Sequence, residues 1–176
     1  FLAVNGSLLA ARSALQYGVA CHLAGGTHHS HFDFGSGFCV FNDLAFTALT
    51  LTKTKEVKNI LIFDCDVHQG DGTARILENN DRTFTCSIHS SKNFPYRKAS
   101  SDLDIGLEDN MSWFGYKKHL LEGLNKCIEQ FSPDLVLYVA GVDIHSNDKL
   151  GRLSIDDEGI FEREMIVLNI FKKRDI

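Results

Sequence analysis

The sequence predicts a three-layer α/β domain, in which helices cover both faces of a mainly parallel sheet. The main support is that apolar runs of strand length alternate along the whole chain with segments of helical periodicity. No internal repeat, linker or low-complexity stretch interrupts this alternation. In addition, acidic and imidazole side chains follow several of the apolar runs. We therefore expect residues 1–176 to form one domain with a functional site at one end of its sheet.

The composition is that of an ordinary globular domain and argues against nucleic-acid binding. Hydrophobic residues make up 44% of the 176 residues and charged residues 23%, enough apolar surface for a sizeable core. The 18 basic and 23 acidic residues give a formal net charge of -5. Phosphate backbones need a basic surface, so direct nucleic-acid binding is not expected. A cationic or amine-bearing partner suits this charge better.

The cysteines and the lengths of the apolar runs suggest a location. An odd number of cysteines without a C-x-x-C pair, mostly in apolar surroundings, indicates buried free thiols in a reducing compartment. We expect the cytoplasm, or the nucleus in a eukaryote. No apolar run approaches the ~20 residues of a membrane span, so no membrane association is expected. The chain begins with Phe1, which suggests that an upstream segment has been removed. The cysteines are Cys21, Cys39, Cys65, Cys86 and Cys127.

The first elements lead to a pair of histidines. Residues 8–17 have helical spacing and stop at Gly18, and residues 19–23 form a short apolar run of strand length. This predicted strand ends at His28 and His29. Neighbouring side chains on a strand face opposite ways, but on a glycine-preceded loop both rings can turn toward a common site. An isolated His-His pair is more often a surface loop, and its place after an apolar run favours the site.

A loop rich in glycine and phenylalanine follows. Its rings, Phe32, Phe34 and Phe41, fit two alternatives equally well, apolar walls of a site or plugs in the core. Asn42 or Asp43 can cap the next helix. Ser154, with an acid three residues on, resembles a capping box for the last helix. Further helices are predicted over residues 44–51, 73–78, 112–130 and 155–173, strands over 60–63, 83–88 and 134–141, and a long loop over 89–111.

The most informative stretch follows the strand at 60–63. Period-two alternation places Asp64, Asp66 and His68 on one face, where a carboxylate and an imidazole can hold one divalent cation. Acids at strand ends also serve as simple caps, but three strands that finish in ligand-type residues favour a metal site. Asp143, after the strand at 134–141, is the candidate third ligand. These ligand types favour Zn2+, and Fe2+ or Mn2+ fits them too.

The two histidines then become candidates for proton transfer. His28 and His29 can act as acid and base on a metal-bound water, with Asp64 and Asp71 accepting the second ring proton of each. Other chemistries fit less well, because the sequence has no G-x-x-x-x-G-K phosphate loop, no G-x-G-x-x-G fingerprint and no G-x-S-x-G nucleophile elbow.

Four motifs in this order resemble one family. Residues 28–29, 37–43, 64–73 and 140–143 are together similar to the zinc-dependent histone deacetylases of the arginase/deacetylase fold. The resemblance covers the chain from about residue 6 to about residue 173, and residues 150–155 are similar to the class IV branch and its bacterial relatives. It implies removal of an acyl group from an amine by a zinc-dependent site.

The resemblance also implies a role for individual residues. It gives Asp66, His68 and Asp143 as zinc ligands, and His28 and His29 as the catalytic pair, supported by Asp64 and Asp71. Gly37, Phe38 and Phe94 match the tunnel for the acyl-lysine side chain. A K+ ion beside the zinc strand would be held at Asp64, Asp66, His68, Ser87 and Ile88.

The chain departs from the family pattern at both ends. Relatives continue after the last helix into a strand and a glycine-rich loop with a catalytic tyrosine, and no such segment follows Ile176. We therefore expect an incomplete domain at both termini. Loss of one oxyanion donor typically slows turnover by ~10²–10³-fold, so this polypeptide alone is expected to deacetylate only feebly.

These observations favour a metal-dependent amide hydrolase that removes acetyl or other acyl groups from lysine side chains of proteins. One alternative is a deacetylase of acetylated polyamines or other small acyl-amines. A second is a catalytically impaired fragment that binds acyl-lysine without cleaving it. A ureohydrolase of the same fold fits poorly, because its metal site needs a D-x-D motif paired with a D-A-H-x-D motif, and the sequence has no D-A-H-x-D.

Overall fold

The computed structural model describes residues 1–176, which form nine helices and strands. The helices are α1 (Leu2–Tyr17), α2 (Asp43–Lys53), α3 (Asp71–Leu77), α4 (Trp113–Gln130) and α5 (Asp157–Lys172). The strands are β1 (Ile60–Asp64), β2 (Thr83–Ser90), β3 (Leu103–Leu107) and β4 (Leu135–Val139).

The four strands form one parallel sheet in the order β3-β2-β1-β4. All strands therefore point the same way, and their carboxyl ends meet along one edge. In the register of the central strand, Asp64 lies beside Ser87 of β2 and Val139 of β4. The predicted three-layer α/β architecture with a parallel sheet is confirmed.

Strand β1 separates two hydrophobic cores. Its five residues are all buried, and their side chains alternate between the two faces of the sheet. Ile60 and Ile62 pack in the core formed with α1 and α2, whereas Leu61 and Phe63 pack in the core formed with α4 and α5. Burial on both faces explains why the sequence of β1 is uniformly apolar.

Two strand predictions were wrong. Residues 19–23 are irregular and mostly exposed, and Leu23 is 97% exposed. Five apolar residues are long enough for a strand, but here they have no neighbouring strand to pair with. Conversely, the predicted loop over 89–111 contains the end of β2 and all of β3. Strand β3 is an edge strand with alternating burial, so its acid and glycine resemble a loop in the sequence.

One predicted helix cap is observed in the structure, and the other is replaced by a different residue. Asn42 caps α2 as predicted, because its side chain accepts a hydrogen bond from the backbone N–H of Ala45 at 2.9 Å. The cap of α5 is Asp156, which accepts from the N–H of Gly159 at 2.8 Å. The predicted capping box at Ser154 is therefore wrong, since the backbone of Ser154 instead bridges to Ser112.

The cysteines form no disulfide. Cys65, Cys86 and Cys127 are buried, Cys39 is half-buried and Cys21 is exposed. The prediction of buried free thiols therefore holds for three of the five. None of the helices combines the length and the apolar character that crossing a membrane requires.

Replacing Phe63 by alanine should lower the free energy of unfolding by ~3–5 kcal/mol, as is typical for a buried ring. Phe63 is fully buried, with ring centroids of Tyr138 and Phe171 at 6.2 and 6.1 Å. The matched control is Phe114→Ala, because Phe114 is 90% exposed and should change stability by less than ~0.5 kcal/mol. Urea denaturation measures both, and equal losses would contradict the assignment of the core.

Candidate metal centre

Three ligand-type side chains converge beyond the carboxyl ends of β1 and β4. The ligand atoms of Asp66, His68 and Asp143 all lie within 4.8 Å of one another, and the three residues are half-buried. His68 Nδ1 is 3.0 Å from Asp66 Oδ1 and 3.0 Å from Asp143 Oδ2. Two carboxylates and one imidazole in this arrangement match the ligand set of a zinc site with an open position. The chemistry of the donors therefore fits the predicted ion.

Backbone hydrogen bonds fix the loop that carries these ligands. Asp64 Oδ1 accepts from the N–H of Asp66 at 3.0 Å, and Asp66 Oδ1 accepts from the N–H of His68 at 2.8 Å. Asp143 Oδ1 accepts from the N–H of Val67 at 3.0 Å, which joins the two ligand segments. The sequence predicted that Asp64, Asp66 and His68 share one face of a strand. Strand β1 ends at Asp64, however, so the candidate ligands lie on the loop that follows it.

The carboxylates strongly favour a protonated imidazole between them. Partial burial opposes the charge on His68, but its hydrogen bonds to Asp143 and Asp66 outweigh this and raise its pKa to about 9. Burial also opposes the charge on Asp66, yet the bond to His68 holds the pKa of Asp66 below its usual value. The site thus has the electrostatics of a cation-binding site.

Two histidine–aspartate pairs lie beside the three candidate ligands. His28 Nδ1 is 2.6 Å from Asp64 Oδ2, and His29 Nδ1 is 2.7 Å from Asp71 Oδ1. The two imidazole rings are 4.1 Å apart, and all four side chains are buried. In each pair the Nδ1 is occupied by a carboxylate, which leaves Nε2 available for other contacts. His28 Nε2 lies 3.8 Å from Asp66 Oδ1, so this ring borders the ligand set.

The environments of the two pairs differ. Burial lowers the proton affinity of His28, but the charge and hydrogen bond of Asp64 overcome it and raise the pKa of His28 to about 9. Burial likewise opposes ionisation of Asp71, yet its bonds to His29 and His31 hold its pKa below the usual value. A divalent cation on Asp66 would repel a proton on His28 and so lower the pKa of that ring.

Of the predicted tunnel residues, Gly37 and Phe94 contact the histidine pair. Phe94 lies edge-on to His29 with ring centroids 4.9 Å apart, and its centroid is 6.5 Å from that of His68. Gly37 has a φ of 51°, and a Cβ at this position would overlap the His29 ring, so only glycine fits. Phe38 is 99% exposed, and its ring points into solvent beside Gly37.

Comparison with known proteins identifies the family. The family described as "Histone deacetylase domain" matches residues 1–176. The chain belongs to the histone deacetylase family. It is 47% identical over 167 residues to an uncharacterized protein of Picosynechococcus, covering 95% of this chain and 56% of that protein. It is 30% identical over 176 residues to histone deacetylase 2 of Arabidopsis thaliana, covering 98% of this chain and 46% of that protein.

A crystal structure of an HDAC homolog from Aquifex aeolicus has the same fold. It matches with a TM-score of 0.86 and 25% sequence identity, covering 97% of this chain and 49% of that one. The fold is therefore the arginase/deacetylase fold, as the sequence motifs predicted. The chain spans about half the length of these relatives, 46% to 56% of the two proteins and 49% of the crystal structure.

Within this histone deacetylase domain, the segment with the two catalytic candidates is held by side chains that the sequence indicated only as caps. Asn42 donates to the carbonyl of Ser30 at 3.0 Å and to that of His28 at 3.3 Å. Asp43 is fully buried and accepts from the N–H groups of Gly26 and Thr27. No strand precedes the histidines, so these bonds do the positioning that we had assigned to a strand end.

The glycine- and phenylalanine-rich loop of this domain is a surface feature. Phe32, Phe34 and Phe41 are all exposed, at 92%, 56% and 48%, which decides against the alternative that they plug the core. Phe34 stacks on His31 with centroids 4.3 Å apart, and His31 Nε2 reaches Asp71 Oδ2 at 3.2 Å. No sequence pattern pointed to His31, since its contact is with Asp71, 40 residues away along the chain.

Gln69 is a second residue that the sequence analysis did not single out. It connects the loop that carries Asp66 and His68 to the loop that carries Phe94. The Gln69 side chain is fully buried, donates to the carbonyl of Ala99 at 3.0 Å and accepts from its N–H at 2.8 Å. It also donates to Asp104 of β3 at 2.8 Å. A buried amide whose nitrogen donates two hydrogen bonds and whose oxygen accepts one restricts the movement of its neighbours. Its position next to His68 was the only signal in the sequence.

The residues predicted to hold K+ lie close together at the ends of β1 and β2. Asp64 and Ser87 are register partners in the sheet, and both are buried with Ile88. The Ser87 hydroxyl is 3.0 Å from His89 Nδ1. A K+ ion at Asp64, Asp66, His68, Ser87 and Ile88 stays a prediction.

We expect Asp66→Ala to abolish metal binding, because a cation would keep only two protein ligands. The purified wild-type chain should carry about one transition-metal ion, measured by elemental analysis after dialysis. The matched control is Asp81→Ala on an exposed turn, which should leave the metal content unchanged. Undiminished zinc in Asp66→Ala would contradict the ligand assignment.

The affinity for Zn2+ should rise with pH. The pKa of His68 is raised to about 9, so at neutral pH its ring is protonated in the metal-free protein and the ion must displace that proton. Release of the His68 proton strengthens binding about tenfold per pH unit, here from about pH 6 to about pH 8, and a proton released from His28 would steepen this dependence. Calorimetry in buffers of different ionisation enthalpy counts the released protons, and a pH-independent affinity would refute this.

Proposed function

We propose that the protein is a metal-dependent amide hydrolase that removes acetyl or other acyl groups from lysine side chains of proteins. One observation carries the proposal: two buried histidine–aspartate pairs lie beside three converging metal ligands, with His28 Nε2 3.8 Å from Asp66 Oδ1. Proton donors and acceptors next to a Lewis-acid site are what amide hydrolysis requires. Membership of the histone deacetylase family supports the same reaction class.

The proposed cofactor is Zn2+ at Asp66, His68 and Asp143, a ligand set that Fe2+ also fits. Bound zinc supplies Lewis-acid chemistry, which polarises an amide carbonyl and makes a water molecule more acidic. The protein contributes the arrangement of the ligands. Asp143 Oδ1 accepts a hydrogen bond from the backbone N–H of Val67, and Asp66 Oδ1 accepts one from the backbone N–H of His68. The third carboxylate, Asp64, is not part of the set, because it is paired with His28.

The two histidines divide the proton transfers between them in this proposal. His28 borders the ligand set and is held by Asp64, so its Nε2 is placed to take a proton from the attacking water. His29 is held by Asp71 and lies next to Phe94, on the side where the substrate would enter, so its Nε2 is placed to protonate the leaving amine. The carboxylates keep each ring in one tautomer, with the proton on Nδ1.

The shape of the entrance favours a long, thin acyl-amine. Phe94 forms one wall beside His29, and Gly37 lets the opposite backbone approach the same ring. An apolar wall suits the methylene chain of lysine and leaves its amide at the metal. Phe38, at the exposed rim, would contact the substrate where the chain leaves the channel. These three residues are the proposed substrate contacts.

The same structure and composition support a proposal for the cellular compartment and for the charge of the partner. The buried thiols of Cys65, Cys86 and Cys127 and the absence of any disulfide support a reducing compartment such as the cytoplasm. A net charge of -5 favours an amine-bearing partner over nucleic acid. The second candidate substrate is an acetylated polyamine, which presents the same acetyl-amine group on a flexible, cationic chain.

The test compares acetate release from an acetyl-lysine peptide and from an acetylated polyamine, by the zinc-loaded protein. We expect the peptide to be hydrolysed with the higher kcat/KM. His29→Ala should lower kcat by ~10²–10⁴-fold, the usual contribution of a general acid or base. The matched control is His119→Ala on α4, remote from the site and beside Glu122, which should leave the rate unchanged.

Each other outcome selects a different reading. Preference for the polyamine would assign the protein to the small acyl-amines. Stoichiometric zinc with no acetate from either substrate would show a fragment that binds metal without catalysis. Equal rates for His29→Ala and wild type would remove His29 from the mechanism and leave His28 as the sole proton carrier.

A further inference from the structure

One arginine lies in the interior behind the ligand segments. Arg163, on α5, has no exposed surface, although charged side chains are almost never fully buried unless they are paired. Its Nη1 donates to two backbone carbonyls, that of Gly141 at 2.7 Å and that of Cys65 at 3.1 Å. Neither the family motifs nor the proposed mechanism gives this residue a role.

The two carbonyls belong to the two segments that carry the metal ligands. Cys65 immediately precedes Asp66, and Gly141 lies two residues before Asp143. A single nitrogen of Arg163 therefore joins the loop after β1 to the loop after β4. The distance between these segments determines how far apart the two ligand carboxylates lie.

The segments are pressed together where the arginine holds them. A Cβ built on Gly141 would come within 2.6 Å of the Cα of Asp66, so the two backbones pack without an intervening side chain. The Val67 N–H to Asp143 Oδ1 bond joins the same segments from the ligand side. Arg163 joins them from the interior side, through backbone atoms that have no other side-chain partner at that point.

The guanidinium is itself held in orientation. Glu164 accepts from Nε of Arg163 at 2.9 Å and also from Nη2. The guanidinium also lies over the ring of Tyr138, with its central carbon 6.0 Å from the ring centroid. A planar, fixed fork can serve two carbonyls at once, which the single ammonium of a lysine does less well.

We propose that Arg163 is a positioning residue that sets the separation of Asp66 and Asp143, and through it the affinity and geometry of the metal site. This inference rests on the proposed metal ligands. Groups that orient metal ligands typically contribute 10–100-fold to metal affinity, although they do not touch the ion. A purely structural arginine would contribute to folding and leave the affinity of the folded protein unchanged.

The experiment measures Zn2+ affinity by chelator competition and the visible absorption spectrum of the Co2+-loaded protein. Arg163→Met removes both carbonyl bonds, so we expect Zn2+ binding ~10–100-fold weaker and a changed Co2+ spectrum. Arg163→Lys keeps the charge and should restore part of the affinity. The control is Lys172→Met at the exposed end of α5, which removes a positive charge from the same helix and touches neither carbonyl. This control should match wild type in both measurements.

The outcomes separate this inference from the proposal on which it rests. Wild-type affinity and spectrum in both Arg163→Met and Arg163→Lys would overturn the positioning role while leaving the ligand set intact. If Arg163→Met does not fold, Arg163→Lys alone decides by the same two measurements. A wild-type chain that binds no Zn2+, or an Asp66→Ala variant that binds it as tightly, would overturn the ligand set first, and the role of Arg163 with it.

Discussion

Repulsion between carboxylates is the constraint that shapes the functional end of this domain. Four acids meet there, at reduced solvent exposure, where like charges repel more strongly than in water. Imidazoles lie between them: Asp64 pairs with His28, and Asp71 pairs with His29. His68 lies between the two candidate ligand acids, Asp66 and Asp143. The nearby carboxylates raise the pKa values of His28 and His68 to about 9. A bound cation would relieve the same repulsion. The four acids are Asp64, Asp66, Asp71 and Asp143.

Local sequence signals predicted most of the architecture, and they did not carry information about pairing. Strand β1 was clear because burial on both faces makes it uniformly apolar. The run at 19–23 has the same local character and no partner, whereas β3 looks polar and pairs with β2 in register. A strand exists only where a neighbour satisfies its backbone, and that neighbour is distant in sequence.

For the site, the sequence indicated residues of ligand type that cluster after predicted strands, and it missed those that act through backbone atoms. His68 and its ligand partners stand out because acids and imidazoles cluster with regular spacing. Gln69 and Arg163 contact main-chain carbonyls 30 and 98 residues away along the chain, and a carbonyl has no sequence signature. Asn42 was visible as a helix cap, but its bonds to the histidine segment required the fold. Roles of the predicted residues in catalysis stay proposals.

The side-chain amide of Gln69 couples the loop of residues 65–70, which carries Asp66 and His68, to the loop of residues 91–102, which carries Phe94. Gln69 donates a hydrogen bond to the carbonyl of Ala99 and accepts one from its N–H. Residues 91–102 therefore cannot move outward without breaking these bonds or displacing Gln69, which is next to His68. Substitutions that reshape the wall around Phe94 would therefore not add independently to substitutions at Gln69, since both act on one connected network. To admit bulkier groups beside Phe94, the proposed substrate channel would need to be widened within residues 91–102 while the Ala99 backbone stays in place. Changes to the proposed substrate wall and to the proposed metal ligands are therefore coupled through Gln69.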